Sequence, residues 1–477
     1  MTTSPTIQQP SKNLTQSPIT THQSPALEKA PAWFQDLQNM AWEKYQETPA
    51  PTRKTETWRF GDLKQLNLAN FIPASGIDFD ELELELNGLE ETAAQFIFIN
   101  DQCVSSSLDE SGEASTQSQI TNHKSQIPTG VICLPLEDAL QEHSELIHQH
   151  LLKQEVKLGS EKYAALHAAN LSNGLFVYVP KGIEVEKPIE AYHIVAGENA
   201  AIFPHTLIIT EDNAKVSVVD YFISAPQKSG EASTQSPITN HQSQIGESSE
   251  THLVLAMNDL VATNGSQLSY LAIQNVNLLS KVIQIGSTTV DRDARAKSFV
   301  LNVGAAWARN ESYSTLAGKG AHSDMLSLNI PTADQKYDQR TFQHHASPYT
   351  YSDLLYKNAL YGKSKTTFSG LITVDEGAHF TDAYQTCRNL LMEDTTETNS
   401  MPGLQINADQ VKCSHGSTAS AISDEEIYYL QARGIHPKQA RQLIARGFCI
   451  AVIERLENEQ LQNLVLNYLD EKFKTVS

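Results

Sequence analysis

Apolar and polar positions change rhythm twice along this chain. Between Pro31 and Tyr45, Trp33, Phe34, Leu37, Met40 and Ala41 recur at helical spacing, which predicts an amphipathic helix. The run TPAPTRKTETW at 48–58 is held extended by its prolines, and Trp58 and Phe60 are expected to anchor it on a small core. Residues 134–170 read as helical again. Leu136, Ala139, Leu140, Leu146 and Ile147 lie on one side there, and KYAALHAAN follows. His143 and His150 would share a face of that helix with His148 turned elsewhere, and a solvated face accounts for them.

From about residue 174 the rhythm becomes that of strands. LFVYVP, HTLIIT, KVSVVDYFI, HLVLAM, QLSYLAI, KVIQIG, KSFVLNV and MLSLNI are short, alternating or continuously apolar, and rich in Val, Ile, Leu and Tyr. They continue to FSGLITVD (368–375) and LQIN (404–407) with no long helix between them, which excludes a doubly wound fold. A sandwich is one solution, although the strand region is long for a single pair of sheets. A stacked β-helix handles such length by adding rungs. No strict repeat length is visible across the strands.

The last stretch is helical. Ser423 and Glu426 form a capping-box pattern before DEEIYYLQAR, and Gly434 is placed to end that helix. Pro437 suits the first turn of PKQARQLIAR, with Gly447 as its expected end. In the final helix Leu461, Leu464, Val465, Tyr468 and Leu469 make one apolar stripe.

Three polar tracts interrupt these patterns. SGEASTQSQITNHKSQI at 111–127 returns at 229–245, changed only at Gln119/Pro237 and Lys124/Gln242, and a shorter copy, TQSPITTHQS, sits at 15–24. They have too few apolar residues to offset their ordering entropy by burial, so they read as copied inserts in surface loops. The chain has 477 residues and a net charge of −21, with 56 acidic against 35 basic residues and no Lys/Arg cluster. Nucleic acid and anionic membrane surfaces are therefore excluded as main partners. No apolar run approaches a membrane span and no secretory pattern opens the chain, so cytoplasm is expected. A Ser/Thr/Gln-rich start makes the plastid stroma the alternative. Five widely spaced cysteines (Cys103, Cys133, Cys387, Cys413, Cys449) read as reduced thiols, not a disulfide framework.

The candidate chemistry sits in LQINADQVKCSHG (404–416). On a strand, alternate side chains share a face, so Cys413 and His415 would point one way and Ser414 the other. A thiolate beside an imidazole is a good ligand pair for iron, zinc or a cluster. The plainer reading makes Cys413 a small buried hydrophobe and His415 a strand cap. No Cys-x-x-Cys occurs and no four-cysteine cage can be drawn, so the pair is at most half a site. Cys387, 26 residues upstream and placed two rungs away, reads as a core thiol, as does Cys449. The Gly-Lys-Ser at Gly362–Ser364 lacks a P-loop's upstream glycine, because position 357 is Lys, so no ATP hydrolysis is expected. His344 and His345, being adjacent on a strand, would face opposite ways, and His379 and Asp382 would fix a turn.

TDAYQTCRNLL (381–391), LQINADQVKCSHG and DEEIYYLQARGI (424–435) together resemble the C-terminal half of the SufB/SufD family of iron–sulfur cluster assembly scaffold proteins. The KCSHG form and KTETWRFGDL (54–63) resemble the SufD branch more than SufB, and weaker similarity runs through 163–189. The resemblance implies a mainly β fold with flanking α elements: a right-handed parallel β-helix core, an N-terminal helical region and a C-terminal helical domain. The expected division is a low-complexity, disordered 1–25, a helical and mixed domain 26–170 with insert 108–128, a β-helix core 171–418 with insert 226–250, and a helical domain 419–477.

It also implies a non-catalytic scaffold that pairs with a SufB-like subunit and a SufC-like ATPase, with a homodimer the alternative for the chain alone. Cys413 and His415 would then hold a transient iron–sulfur cluster shared with SufB. Tyr428, Leu430, Leu461, Leu464, Val465 and Tyr468 in the C-terminal helices would dock the ATPase. Two other readings compete. One is a β-helix enzyme acting on acidic polysaccharide through Asp334, Asp338 and Arg340. The other is a stand-alone zinc protein using His344, His379, Cys413 and His415.

Overall fold

The computed structural model describes residues 19, 30–76, 82, 86–107, 126–226 and 250–476. Residues 1–25 other than Ile19, and most of both longer inserts, lie outside the described residues. Of the copied tracts only Ile19, Gln126 and Ile127 are described, and Ile19 is buried in a cluster with Leu68 and Phe71.

Four short strands come first: β1 (Ile72–Pro73), β2 (Ala94–Ile99), β3 (Gln102–Ser106) and β4 (Ile132–Pro135). The regular coil starts with β5 (Gly174–Val179), β6 (Ile189–Val195), β7 (Ala200–Ile202), β8 (His205–Thr210) and β9 (Lys215–Ser224). It continues through β10 (Leu253–Ala262), β11 (Gln267–Asn275), β12 (Lys281–Val290), β13 (Arg295–Asn302), β14 (Trp307–Leu316) and β15 (His322–Asn329). It ends with β16 (Lys336–His345), β17 (Tyr351–Leu360), β18 (Lys365–Val374), β19 (Asp382–Leu391), β20 (Glu397–Ile406) and β21 (Lys412–Ala421).

From β8 to β21 nearly every even strand joins one sheet and every odd strand the other, all in parallel. The chain is thus a parallel β-helix. Each turn adds one strand to each sheet, which is how a strand region running from Gly174 to Ala421 avoids a sandwich. Among the described residues antiparallel pairing is confined to β2–β3 and β4–β5 near the start.

A left-handed residue marks one corner of every rung: Asn213, Gly265, Asp293, Gly320, Tyr349, Phe380 and Gln410. From Gly265 onward they recur every 27 to 31 residues. Each N–H from Asn213 to Phe380 donates to a carbonyl in the next corner, which holds the rungs in register. Glycine, Asn and Asp tolerate this conformation, so the repeat is written in backbone needs more than in side-chain identity.

The lumen is apolar near the N-terminal end and polar further on. Asn302, Asn329, Asn358 and Asn389 stack at one register position. Asn302 Nδ2 donates to Asn329 Oδ1 at 2.7 Å, and Asn358 Nδ2 to Asn389 Oδ1 at 2.7 Å. Such a ladder gives partners to amides that would otherwise be costly to bury, with Asn302 Oδ1 left without one.

Helices cover the outer faces unequally. The helices α1 (Ala32–Glu47), α2 (Leu136–Glu142), α3 (Ser144–His150) and α4 (Glu161–Asn170) lie against the first sheet. The C-terminal α5 (Asp424–Gln431), α6 (Pro437–Ile453) and α7 (Glu459–Thr475) lie on the second, with α6 packed on β15 and β17. The capping box of Ser423 and Glu426 is present, and Pro437 opens α6. Among the described residues no helix is long and apolar enough to cross a membrane.

Four local expectations change. Residues 134–170 are not one helix. β4 ends at Pro135, and His143 (φ −129°) breaks α2 from α3, so His143 and His150 do not share a helix face. Phe60 is exposed at φ 61°, leaving Trp58 as the buried anchor. Met40 is 63% exposed and belongs to the solvent side of α1. Gly447 does not stop α6, which runs on to Ile453 because Cys449, Val452 and Ile453 are buried beneath it.

One buried cation ties α7 down. Lys472 Nζ donates to the Val303 carbonyl at 2.6 Å, and burial lowers its pKa to about 8. An unfolded lysine titrates near 10.4, so between these values the unfolded chain binds more protons and stability rises with pH. The gain should approach about 3 kcal/mol by pH 10.5. Urea unfolding of the native chain and Lys472→Met at pH 7.5 and 10 checks this. The native chain should gain on the variant as pH rises, and a constant difference would refute it.

Candidate functional site at the open end of the solenoid

The last rung carries the Cys/His pair. β21 pairs with β19 from Asp382↔Lys412 to Leu391↔Ala421 without a slip. On β19 the inward residues are Ala383, Gln385, Cys387 and Asn389, all buried. Register therefore puts Cys413 over Ala383 and His415 over Gln385, both on the lumen side, with Ser414 outward. Leu404 and Val411 pack beside Cys413 around Ile372, Val374 and Ala383. Burial first, then the Asp382 carboxylate, push the Cys413 thiol up, so metal must displace its proton.

β20 and β21 end their sheets, and neither outer edge has a neighbour among the described residues. Most of β21 is solvent-exposed, His415 included. Ten residues of unprotected parallel edge form a template for another strand, and proteins ordinarily blunt such edges.

The other candidates fall elsewhere. Cys387 is one rung below β21, not two, since a rung spans about thirty residues; it faces Ser417 in register. Its Sγ accepts from Asn358 and Asn389 Nδ2 at 3.7 and 3.6 Å, and burial pushes its thiol to about 12. Cys449 is fully buried. His344 and His345 do face opposite ways. His344 Nε2 meets Asp375 Oδ2 at 2.8 Å outside, while His345 lies inside between Thr350 and Ser352 hydroxyls at 2.7 and 2.8 Å. His379 bridges its corner to the Asp409 carbonyl at 3.0 Å.

Both competing site assignments lose their geometry. Asp338 and Arg340 are buried, and the Asp338 oxygens are taken by Arg309 Nη1 at 2.5 Å and Arg340 Nε at 2.6 Å, so no polysaccharide could reach them. Asp334 is exposed in the preceding turn. The zinc set is dispersed, with His344 on the first sheet, His379 in a corner and the Cys/His pair on the second sheet. Among the described residues no three His, Cys, Asp or Glu side chains gather to hold a metal ion.

The expected ATPase contacts divide. Leu461, Leu464 and Val465 are buried and Tyr468 packs beside them, all in the cluster that seats α7 on the second sheet. That stripe holds the helical domain on its own solenoid, each buried side chain being worth about 2 kcal/mol, and it is not free for a partner. Leu430 is half-buried. Tyr428 is 73% exposed and lies beside Tyr429 at 57%, a residue the sequence reading did not single out. Gln385, under His415, was also missed; the rung repeat would have placed it there.

Comparison with known proteins points to one family. The family described as "SUF system FeS cluster assembly, SufBD core domain" matches residues 193–448, and the SufBD protein N-terminal region matches 19–191. The chain is 23% identical over 448 residues to the iron–sulfur cluster assembly protein SufD of Bacillus subtilis, covering 93% of this chain and 95% of that protein. It is 26% identical over 424 residues to SufD of Escherichia coli, with 88% of each covered. It is 24% identical over 442 residues to SufB of B. subtilis, covering 88% of this chain and 85% of that one. With its core and N-terminal regions both matched, the chain belongs to the SufBD family of iron–sulfur cluster assembly proteins.

Proposed function

We propose that this chain is a non-catalytic scaffold subunit that pairs with a SufB-like protein across the open edge of β20 and β21 and offers Cys413 and His415 to a nascent iron–sulfur cluster. The observation that carries the reading is the coincidence of two features on β21: a soft-ligand pair on the lumen face and an edge with no strand paired to it among the described residues. Two ligands do not complete a cluster, so the partner must supply the rest. The cluster is cargo, held while it is built and then released. Free thiols at all five cysteines suit a reducing cytoplasm.

Co-expression with SufB-like and SufC-like subunits tests the pairing. A particle of defined mass containing all three is expected, and a chain that stays alone or pairs only with itself would overturn the reading.

The ATPase would dock on α5, where Tyr428 and Tyr429 present exposed rings beside Asp424 and Glu425. Tyr428→Ala should weaken capture of the ATPase roughly thirtyfold, the loss of a buried aromatic anchor worth about 2 kcal/mol. Affinity of the purified chain for the SufC-like subunit is the measurement. An unchanged affinity would move the docking surface elsewhere.

A further inference from the structure

We propose that Gln385 positions His415, its side-chain oxygen accepting a hydrogen bond from the imidazole N–H and so fixing which ring nitrogen is left for metal. The inference deepens the reading that His415 is a ligand and rests on it. Gln385 is 1% exposed and lies directly beneath His415 in unbroken parallel register, on the same face and one strand spacing away.

The surrounding hydrogen bonds decide which end of the amide is free. Gln343 Nε2 donates to the Tyr384 carbonyl at 3.1 Å and to Ser352 Oγ at 2.8 Å. A carbonyl only accepts, so the Gln343 amide has one orientation and its Oε1 is the acceptor for its neighbour. Gln385 Nε2 donates to that oxygen at 3.3 Å. Gln385 Oε1 is then left buried with no hydrogen-bond partner, a costly state for an amide oxygen. On the opposite sheet Gly370 makes room for this amide, since a Cβ there would meet Gln385 Nε2 at 2.3 Å and Thr341 Oγ1 at 2.6 Å. The rung above Gln385 is the last one, and the register neighbour it places there is the exposed imidazole of His415. Ligating histidines commonly donate their other N–H to such an oxygen, which sets tautomer and ring orientation.

The test reads the tautomer without metal. The full-length chain, labelled with ¹⁵N-histidine, is examined by two-bond ¹H–¹⁵N correlation at pH 8.5, where an ordinary imidazole is neutral. The His415 signals are identified by their loss in His415→Gln. In the native chain the two ring nitrogens should be widely separated, as in a single tautomer. Gln385→Leu should bring them toward a common averaged shift, and Gln385→Glu, whose carboxylate can also accept, should keep them apart. Thr341→Val should change nothing. Averaged shifts in the native chain, separation that survives Gln385→Leu, or collapse produced by Thr341→Val would each overturn the assignment. Because no cluster is present, this outcome is independent of whether His415 proves necessary for cluster formation.

Discussion

Replacing Arg309 by Ala should destabilise the chain by about 3–5 kcal/mol, the usual result of stranding buried charge. Its guanidinium is fully buried and uses every face. Nε donates to Glu311 Oε1 at 2.8 Å and Ser160 Oγ at 3.2 Å, and Nη1 to Asp338 Oδ2 at 2.5 Å. Nη2 donates to the Leu158 and Thr57 carbonyls at 2.7 and 3.1 Å, and the group stacks 3.7 Å from the Trp58 ring. The residue therefore joins two rungs of the solenoid to the N-terminal segments 55–61 and 157–160. Without it the Glu311 carboxylate and two carbonyls remain buried with no cation to answer them, and Asp338 keeps Arg340 alone. Denaturant titration should show the loss, with the N-terminal segments the first to open. Arg309→Met combined with Glu311→Gln should recover part of it, because the second change removes a charge the first left unpaired. An Arg309→Ala chain within 1 kcal/mol of the native one would mean water reaches the network.

The same network explains what could be read from the sequence and what could not. Asp338 and Arg340 resemble catalytic groups when only their types and spacing are known. Their partners, Arg309 and the Arg59 carbonyl, lie far along the chain and become neighbours only after coiling. The strand rhythm was legible because alternation is local, and the capping box and the proline at the head of α6 were legible for the same reason. The rung repeat was hidden because the residue fixed at each corner is a conformation, filled by Asn, Gly, Asp, Tyr, Phe or Gln. The α7 stripe illustrates a further limit. Periodicity identified Leu461, Leu464 and Val465 as a packing face, but it carries no information about which surface covers that face. Here the answer is the chain's own second sheet.

The second large effect concerns the half-site. Cys413→Ala with His415→Ala should reduce cluster formation in the assembled complex to background, and each single change should lower it at least about tenfold, equivalent to roughly 1.4 kcal/mol of lost ligation. Folding should be nearly untouched, for reasons visible in the strand. β21 is an exposed edge, and His415 lies in solvent at its surface. Cys413 is only half-buried in a small apolar cluster, so losing its sulfur should cost about 1 kcal/mol or less. The backbone pairing to β19 does not depend on either side chain. Cluster absorbance per assembled complex, measured beside the mass of that complex, separates loss of ligation from loss of pairing. A complex of unchanged mass that fills to the native level with both ligands removed would eliminate the pair as a half-site. A complex that fails to assemble would instead place Cys413 or His415 in the contact between subunits, with the cluster held elsewhere.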